Sequence, residues 1–395
     1  MSEKNEDELV WEYVPLGEYK TPADTVQRTV TTRLSAFLGR LGLPEKKKEA
    51  PKEKGADLQA LPQKVLKAAA PEPKWRDAAA ALHRALRKTF SEQSDRAAAV
   101  VVGAPFSGHA EALVTLAKAA GWPIVPPPSL RQVLKADLEW VDSLARTTPP
   151  WVMPLLEKSF LRHERGLALV RRLLADSVSG RLGKGIIGCG SWAWAYLQQI
   201  SAEADVFPAL SAQALDARRL QRWFSRIAPK DSQGRGFRFK PAGEATELLS
   251  SSRSGQDDAK GDINRLFTPL AAYSRGIAGV ALSIWRSALR KTPGKTGADS
   301  KGTDPADVIR VLPLSEVTLP SMPPLDRPTG AFVLHALLIH NGLPEQILDE
   351  LLPVGPVDPR DQFQFVTDLT VRAKSLLLQS GVRFASVPAA ERLAG

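Results

Sequence analysis

Residues 97–110, Ala-Ala-Ala-Val-Val-Val-Gly-Ala-Pro-Phe-Ser-Gly-His-Ala, constrain the fold of this 395-residue chain more than any other stretch. The unbroken apolar run over 97–102 reads as a short strand buried on both faces, as in a parallel sheet. Gly103 ends the run, Gly108 follows five residues later, and Ala110 to Ala120 has helical spacing. The chain must therefore pass from a buried strand through a tight turn into a helix.

The same alternation continues downstream. Helix is expected over Trp75–Phe90, a strand in Trp122-Pro-Ile-Val-Pro-Pro-Pro, and a strand-to-helix passage from Pro150 through Ser177. Lys184-Gly-Ile-Ile-Gly-Cys-Gly-Ser reads as another buried strand, Trp192–Ile200 as helix, Asp205–Gln213 as a final strand and Asp216–Ile227 as helix. Strands alternating with helices predict an α/β fold built on a parallel, doubly wound sheet.

Around this core, residues 1–20 are expected to be a flexible N-terminus. Thr21-Pro22-Ala23-Asp24 has a capping Thr, Pro in the first turn and an acid three residues on, a helix start. Val26, Val30, Leu34, Phe37, Leu38 and Leu41 then form one apolar stripe, so 21–43 reads as an amphipathic helix. Residues 44–72, with Lys-Lys-Lys-Glu-Ala-Pro-Lys-Glu-Lys-Gly, read as a charged linker. A helix tethered in this way needs a surface to cover its apolar face. A protein partner ranks first, then its own domain, then peripheral contact with a membrane. The core extends over 73–230 and a polar, Gly/Ser-rich insertion over 231–260. Helices with a short strand follow in 261–320, then a further unit over 325–395.

Gly103 and Gly108 have the spacing of the phosphate-binding pattern G-x-x-x-x-G-K-[ST]. Glycines let such a turn curl so that main-chain N–H groups and the helix start face an anion. His109 stands where the pattern has Lys, and Ala110 where it has Ser or Thr. The Lys would hold the β- and γ-phosphates and the hydroxyl would hold Mg²⁺. Gly103, Ser107, Gly108, His109 and Ala110 are the candidate nucleotide-binding residues of this turn. An ordinary βα turn explains the spacing as well as a phosphate cradle does.

Two further segments bear on the choice. Trp151-Val-Met-Pro-Leu-Leu-Glu157-Lys-Ser-Phe resembles the second nucleotide motif of AAA+ and STAND-type P-loop ATPases, and Gly185–Leu197 resembles their strand that presents a polar sensing residue. Phe267–Arg290, with Gly276 and Gly279 as a turn, resembles the helical lid of their Orc-type members, and 329–395 their C-terminal winged helix. The resemblance spans about residues 95–390 and rests on order and pattern, with no motif intact. It implies that Ser191 faces the γ-phosphate position and that Glu157 is the catalytic acid of an active enzyme. Pro154 and Leu155 occupy the place of the metal-holding Asp. The implied state is a P-loop core that binds no nucleotide, or binds ATP or ADP weakly without efficient hydrolysis.

Other candidates carry less. Arg162, His163 and Arg165 could reach a neighbouring subunit's phosphates, although a solvated basic face explains them better. His335 and His340, five apart, do not share a helix face, and the five histidines have no metal-ligand spacing. On the C-terminal unit, Arg372 and Lys374 on its third helix and Arg383 on its wing are the candidate nucleic-acid contacts. They are sparse for gripping phosphate, and a protein contact fits equally. A net charge of +10 admits anionic partners without choosing one. The single Cys189 and the acidic first residues imply a reducing, cytoplasmic setting.

Three functions follow. The first is a non-catalytic ATPase-like scaffold or regulatory subunit that docks partners, in a homo- or hetero-oligomer, through its core and N-terminal helix. The second is an active ATP-dependent switch with divergent motifs. The third is a DNA-binding regulator acting through its C-terminal unit.

Overall fold

A computed structural model describes residues 9–22, 58–228, 236–244, 247–249, 266–292, 308–318, 328–344, 347–348 and 351. The stripe Val26, Val30, Leu34, Phe37, Leu38 and Leu41 lies outside them, as do Arg372, Lys374, Arg383 and most of 231–260 and 325–395. The strands among the described residues are β1 (Tyr13–Pro15), β2 (Gln59–Ala60), β3 (Ala98–Gly103), β4 (Trp151–Met153), β5 (Gly185–Gly190), β6 (Ala209–Ala212), β7 (Arg238–Pro241), β8 (Leu289–Lys291) and β9 (Val308–Val311). They divide between two compact units.

In the first unit the strand order is β1-β6-β3-β5-β4. β3 pairs in parallel with β5 on one side and β6 on the other, and β4 is parallel to β5. Ile124 adds an isolated parallel bridge to Val152 at that edge, all that forms of the strand expected in Trp122–Pro128. Prolines 126–128 explain this, because they have no N–H to donate to a ladder. Every residue of β3 is buried, and its two faces feed different cores. Ala98, Val100 and Val102 join Trp151, Ile187 and Leu173 on one side; Ala99 and Val101 join Leu82, Leu86, Leu113 and Val152 on the other. The helices Arg76–Glu92 and His109–Ala120 cover this second face, and Ala168–Val178 and Ser191–Ile200 the first. This is an α/β fold with mostly parallel strands.

Two segments depart from the sequence reading. Within the expected flexible 1–20, Tyr13–Pro15 pairs antiparallel with β6, and Val10 and Trp11 are buried. The ring of Trp11 lies 5.6 Å from that of Trp75, so a large apolar side chain ties the segment down. Within the expected linker 44–72, β2 and the helix Gln63–Ala69 are folded, with Leu66, Ala69 and Ala70 buried.

The second unit holds those elements and a sheet of its own, in the order β2-β8-β9-β7. β8 is antiparallel to β2 and β9, and β7 is parallel to β9. The described part of 261–320 holds helices with the strands β8 and β9, and β9 is the short strand expected there. Trp285, on helix Ala278–Ala288, stacks on Phe224 at 4.8 Å and contacts Phe239 and Phe267. Gly276, at φ +70°, makes the turn into that helix, whereas Gly279 lies inside it. Arg286 is buried; its guanidinium donates to the Ala70 carbonyl at 2.7 and 2.9 Å and to Glu72 at 3.0 Å. No described helix is long and apolar enough to cross a membrane.

Candidate functional site

In open α/β sheets a ligand binds beyond the carboxyl ends of the strands, where connections from neighbouring strands diverge. That point lies here between β3 and β5. From β3 the chain moves to the β4 edge, whereas from β5 it crosses to β6 on the far side of β3. Gly103 and Gly190, the last residues of the two strands, are register partners. The turn after Gly103 and the helix start at Ser191 thus leave the sheet side by side.

The turn has the backbone that its glycines predict. Gly108 sits at φ +79°, a conformation that suits glycine. A Cβ there would also stand 2.0 Å from the Trp75 ring. Phe106 takes a positive φ of 66° and is 54% exposed. Gly103 is needed for a different reason: a Cβ on it would lie 2.2 Å from His109 Nδ1 and 2.5 Å from Ser107 Oγ. The imidazole therefore folds back over the start of the turn. Its Nδ1 is 3.2 Å from Ser107 Oγ, and Nε2 is buried without a hydrogen-bond partner. Burial lowers the His109 pKa to about 4, so the ring is neutral at pH 7. Ala110 offers no hydroxyl.

Glu157 follows β4 in a 3₁₀ turn, Leu156–Lys158, and is almost completely buried. Its Oε2 accepts the Gly190 N–H at 3.1 Å, and its Oε1 accepts Asn341 Nδ2 at 3.3 Å. Desolvation pushes its pKa up, against the opposing pull of these hydrogen bonds. Ser191, half-buried, begins the helix after Gly190 and makes no capping bond. The sequence-predicted residues are thus brought together in part. Gly103 and Gly190–Ser191 are neighbours, and Glu157 reaches Gly190.

Asn341 is the participant that sequence reasoning missed. It follows the helix Pro328–His340 with φ +51°, and the Gly342 N–H returns to the Leu337 carbonyl at 2.9 Å, a glycine-assisted helix end. Lys158 Nζ completes this end, donating to the carbonyls of His340, Asn341 and Gly342 at 2.8, 2.7 and 3.0 Å. The dipeptide Asn341-Gly342 after an apolar run is a helix stop that could have been read, but nothing local points to Glu157. Arg162 also differs from expectation. Its NH1 lies 3.1 Å from His335 Nδ1, and its main-chain N–H donates to His340 Nε2 at 3.2 Å, so both histidines face one residue. His163 and Arg165 are exposed.

Among the described residues, no cluster of three His, Cys, Asp or Glu side chains could hold a metal ion. No protein-family model matches the chain, and no curated protein matches it.

Proposed function

We propose that this chain is a P-loop ATPase-like scaffold or regulatory subunit that works by docking partners and does not turn over nucleotide. The observation that carries this reading is the pair of substitutions in the turn at the divergence of β3 and β5. Where a cation would reach out to phosphate, a neutral imidazole packs on Gly103. Where a hydroxyl would hold a metal, there is Ala110. The residues present do not fit a magnesium-bound triphosphate, since the turn offers main-chain N–H groups and no charge to balance the anion. ATP or ADP is at most a weak ligand.

Glu157 supports the same reading. A general base must reach a water molecule, but both oxygens of this carboxylate are engaged, by Gly190 and by Asn341. It acts as a tie between the end of β5 and the helix Pro328–His340. The partner-docking element is the apolar stripe Val26, Val30, Leu34, Phe37, Leu38 and Leu41, whose spacing gives a tethered helix a face to bury. Steady-state hydrolysis of Mg²⁺-ATP tests the proposal. Background turnover, equal in the wild type and in Glu157→Gln, is the expected result. Robust turnover that Glu157→Gln abolishes would overturn it.

A further inference from the structure

In the helix Arg76–Glu92, His83, Arg87 and Phe90 are spaced i, i+4 and i+7, which puts them on one flank over about 10 Å of helix axis. Two ring contacts show what that flank faces. The His83 ring meets Trp122 edge-on at 5.8 Å, just beyond the helix His109–Ala120. Farther along, the Lys184 ammonium stands over the Phe90 ring at 5.5 Å, one residue before β5 begins. Arg87 lies between the two contacts. The flank is therefore at the amino end of β5, the opposite end of the sheet from the turn at Gly103.

This surface is open. Arg84, Arg87, Lys118 and Lys184 are exposed, and His83, Phe90 and Trp122 are half-buried. A Cβ on Gly121, next to Trp122, would meet nothing within 4 Å. Among the described residues, no carboxylate pairs with any of these four cations. The acids that follow on the chain are engaged elsewhere, Glu92 with Lys88 at 3.9 Å and Asp95 with Arg96 at 3.5 Å. Arg84 has Arg87 three residues on and Lys88 four residues on, and like charges so placed repel.

Cations interleaved with rings suit one kind of polyanion. An acidic peptide offers charge without flat faces, whereas an unpaired nucleic-acid strand brings phosphates to the cations and bases to the rings. Phe90 holds the Lys184 ammonium in place by a cation–π contact. The Arg87 guanidinium can take two phosphate oxygens at once, and Trp122 offers a ring for a base.

We infer that this flank binds a single-stranded nucleic acid, with Arg87, Lys184 and Arg84 on its phosphates and a base on Trp122. The net charge of +10 favours encounter with such a strand.

Fluorescence anisotropy of a labelled 20-nucleotide oligothymidylate, titrated with the full chain between 50 and 200 mM salt, tests the inference. Affinity should fall steeply with salt, by about 0.7 in the log–log slope for each phosphate contact. Arg87→Gln combined with Lys184→Gln should weaken binding at least about tenfold and reduce that slope by roughly 1.4. Arg131→Gln combined with Lys135→Gln, the same charge change at two exposed positions of the helix Leu130–Lys135, should do much less. Trp122→Leu should weaken binding about fivefold or more at an unchanged salt slope, which separates stacking from charge. If Trp122→Leu does not fold, Arg87→Gln alone must still weaken binding, with partial recovery in Arg87→Lys. No binding at 50 mM salt, an equal loss in both double variants, unchanged affinity in a folded Trp122→Leu, or preference for polyglutamate over the oligonucleotide would each overturn the inference. The last outcome would assign the flank to an acidic protein. None of these results bears on nucleotide turnover, so the two proposals fail separately.

Discussion

The imidazole of His109 lies against Gly103 so closely that a methyl group on the glycine would stand 2.2 Å from Nδ1. The first glycine of the turn is thus tied to the residue that replaces its expected cation. Gly103→Ala should destabilise the fold by about 1–3 kcal/mol, the usual cost of overpacking. His109→Ala in the same chain should recover much of that loss, because the clashing ring is gone. A double-mutant cycle from urea unfolding measures the coupling; additive losses would mean that the ring does not lie over Gly103.

Acid should weaken the first unit through two histidines. Burial holds both His109 and His340 down to about 4, and the Nε2 of His340 accepts the Arg162 N–H, which requires the neutral ring. Both folded values lie below the ordinary 6.5. Their contribution is therefore complete above pH 6.5 and is lost as pH falls toward 4. Each is worth on the order of 3 kcal/mol by linkage. Unfolding free energies of the wild type and of His340→Gln between pH 7 and 4 should converge as pH falls.

Glu157 has the opposite sign. Its folded value is raised, so the folded state binds the proton more tightly than the unfolded chain does. That contribution is present below the ordinary carboxylate range and is lost as pH rises through the folded value. Glu157→Gln cannot titrate. The stability of the wild type relative to this variant should decline from about pH 4.5 upward, as followed by denaturant unfolding.

Glu157 also fastens the helix Pro328–His340, through Asn341 and beside Lys158. Lys158→Met removes the donor to three carbonyls and should cost about 1–3 kcal/mol, since that helix end loses its partner. Hydrogen exchange should report the change locally. The Gly342 amide should exchange faster, while amides of β3 keep their protection.

In the second unit, Arg286 joins the Ala70 carbonyl and Glu72 across more than 200 residues of sequence. Arg286→Lys keeps the charge but not the fork of donors that serves both partners. A loss of about 1–3 kcal/mol is expected in thermal or urea unfolding. A neutral outcome would show that one donor suffices.

What could be read in advance follows from how local each signal is. The run Val100–Val102, Gly103 and Gly108 declares a strand, a turn and a helix within a dozen residues, and β3 and the helix His109–Ala120 form there. Ile186 and Ile187 do the same for β5. Where pairing is distant, the sequence is silent. Tyr13–Pro15 is three residues long and gains its meaning only from Ala212, nearly 200 positions away. β2, with two residues, and β8, with three, are too short to show alternation, so of the second sheet only the short strand that became β9 could be read. The contact between Glu157 and Asn341 crosses 184 positions. The residues of the turn were legible as a phosphate pattern with parts exchanged. That the exchanged ring would lie on Gly103 was not, because a rotamer leaves no trace in spacing.

Restoring the missing groups tests the central claim most directly. A fluorescent ATP analogue should be titrated against the wild type and against His109→Lys combined with Ala110→Thr, in the presence of Mg²⁺. The expected result is weak or undetectable binding by the wild type and at least about tenfold tighter binding by the variant, a gain of about 1.4 kcal/mol. Micromolar binding by the wild type, unchanged or weakened in the variant, would contradict it.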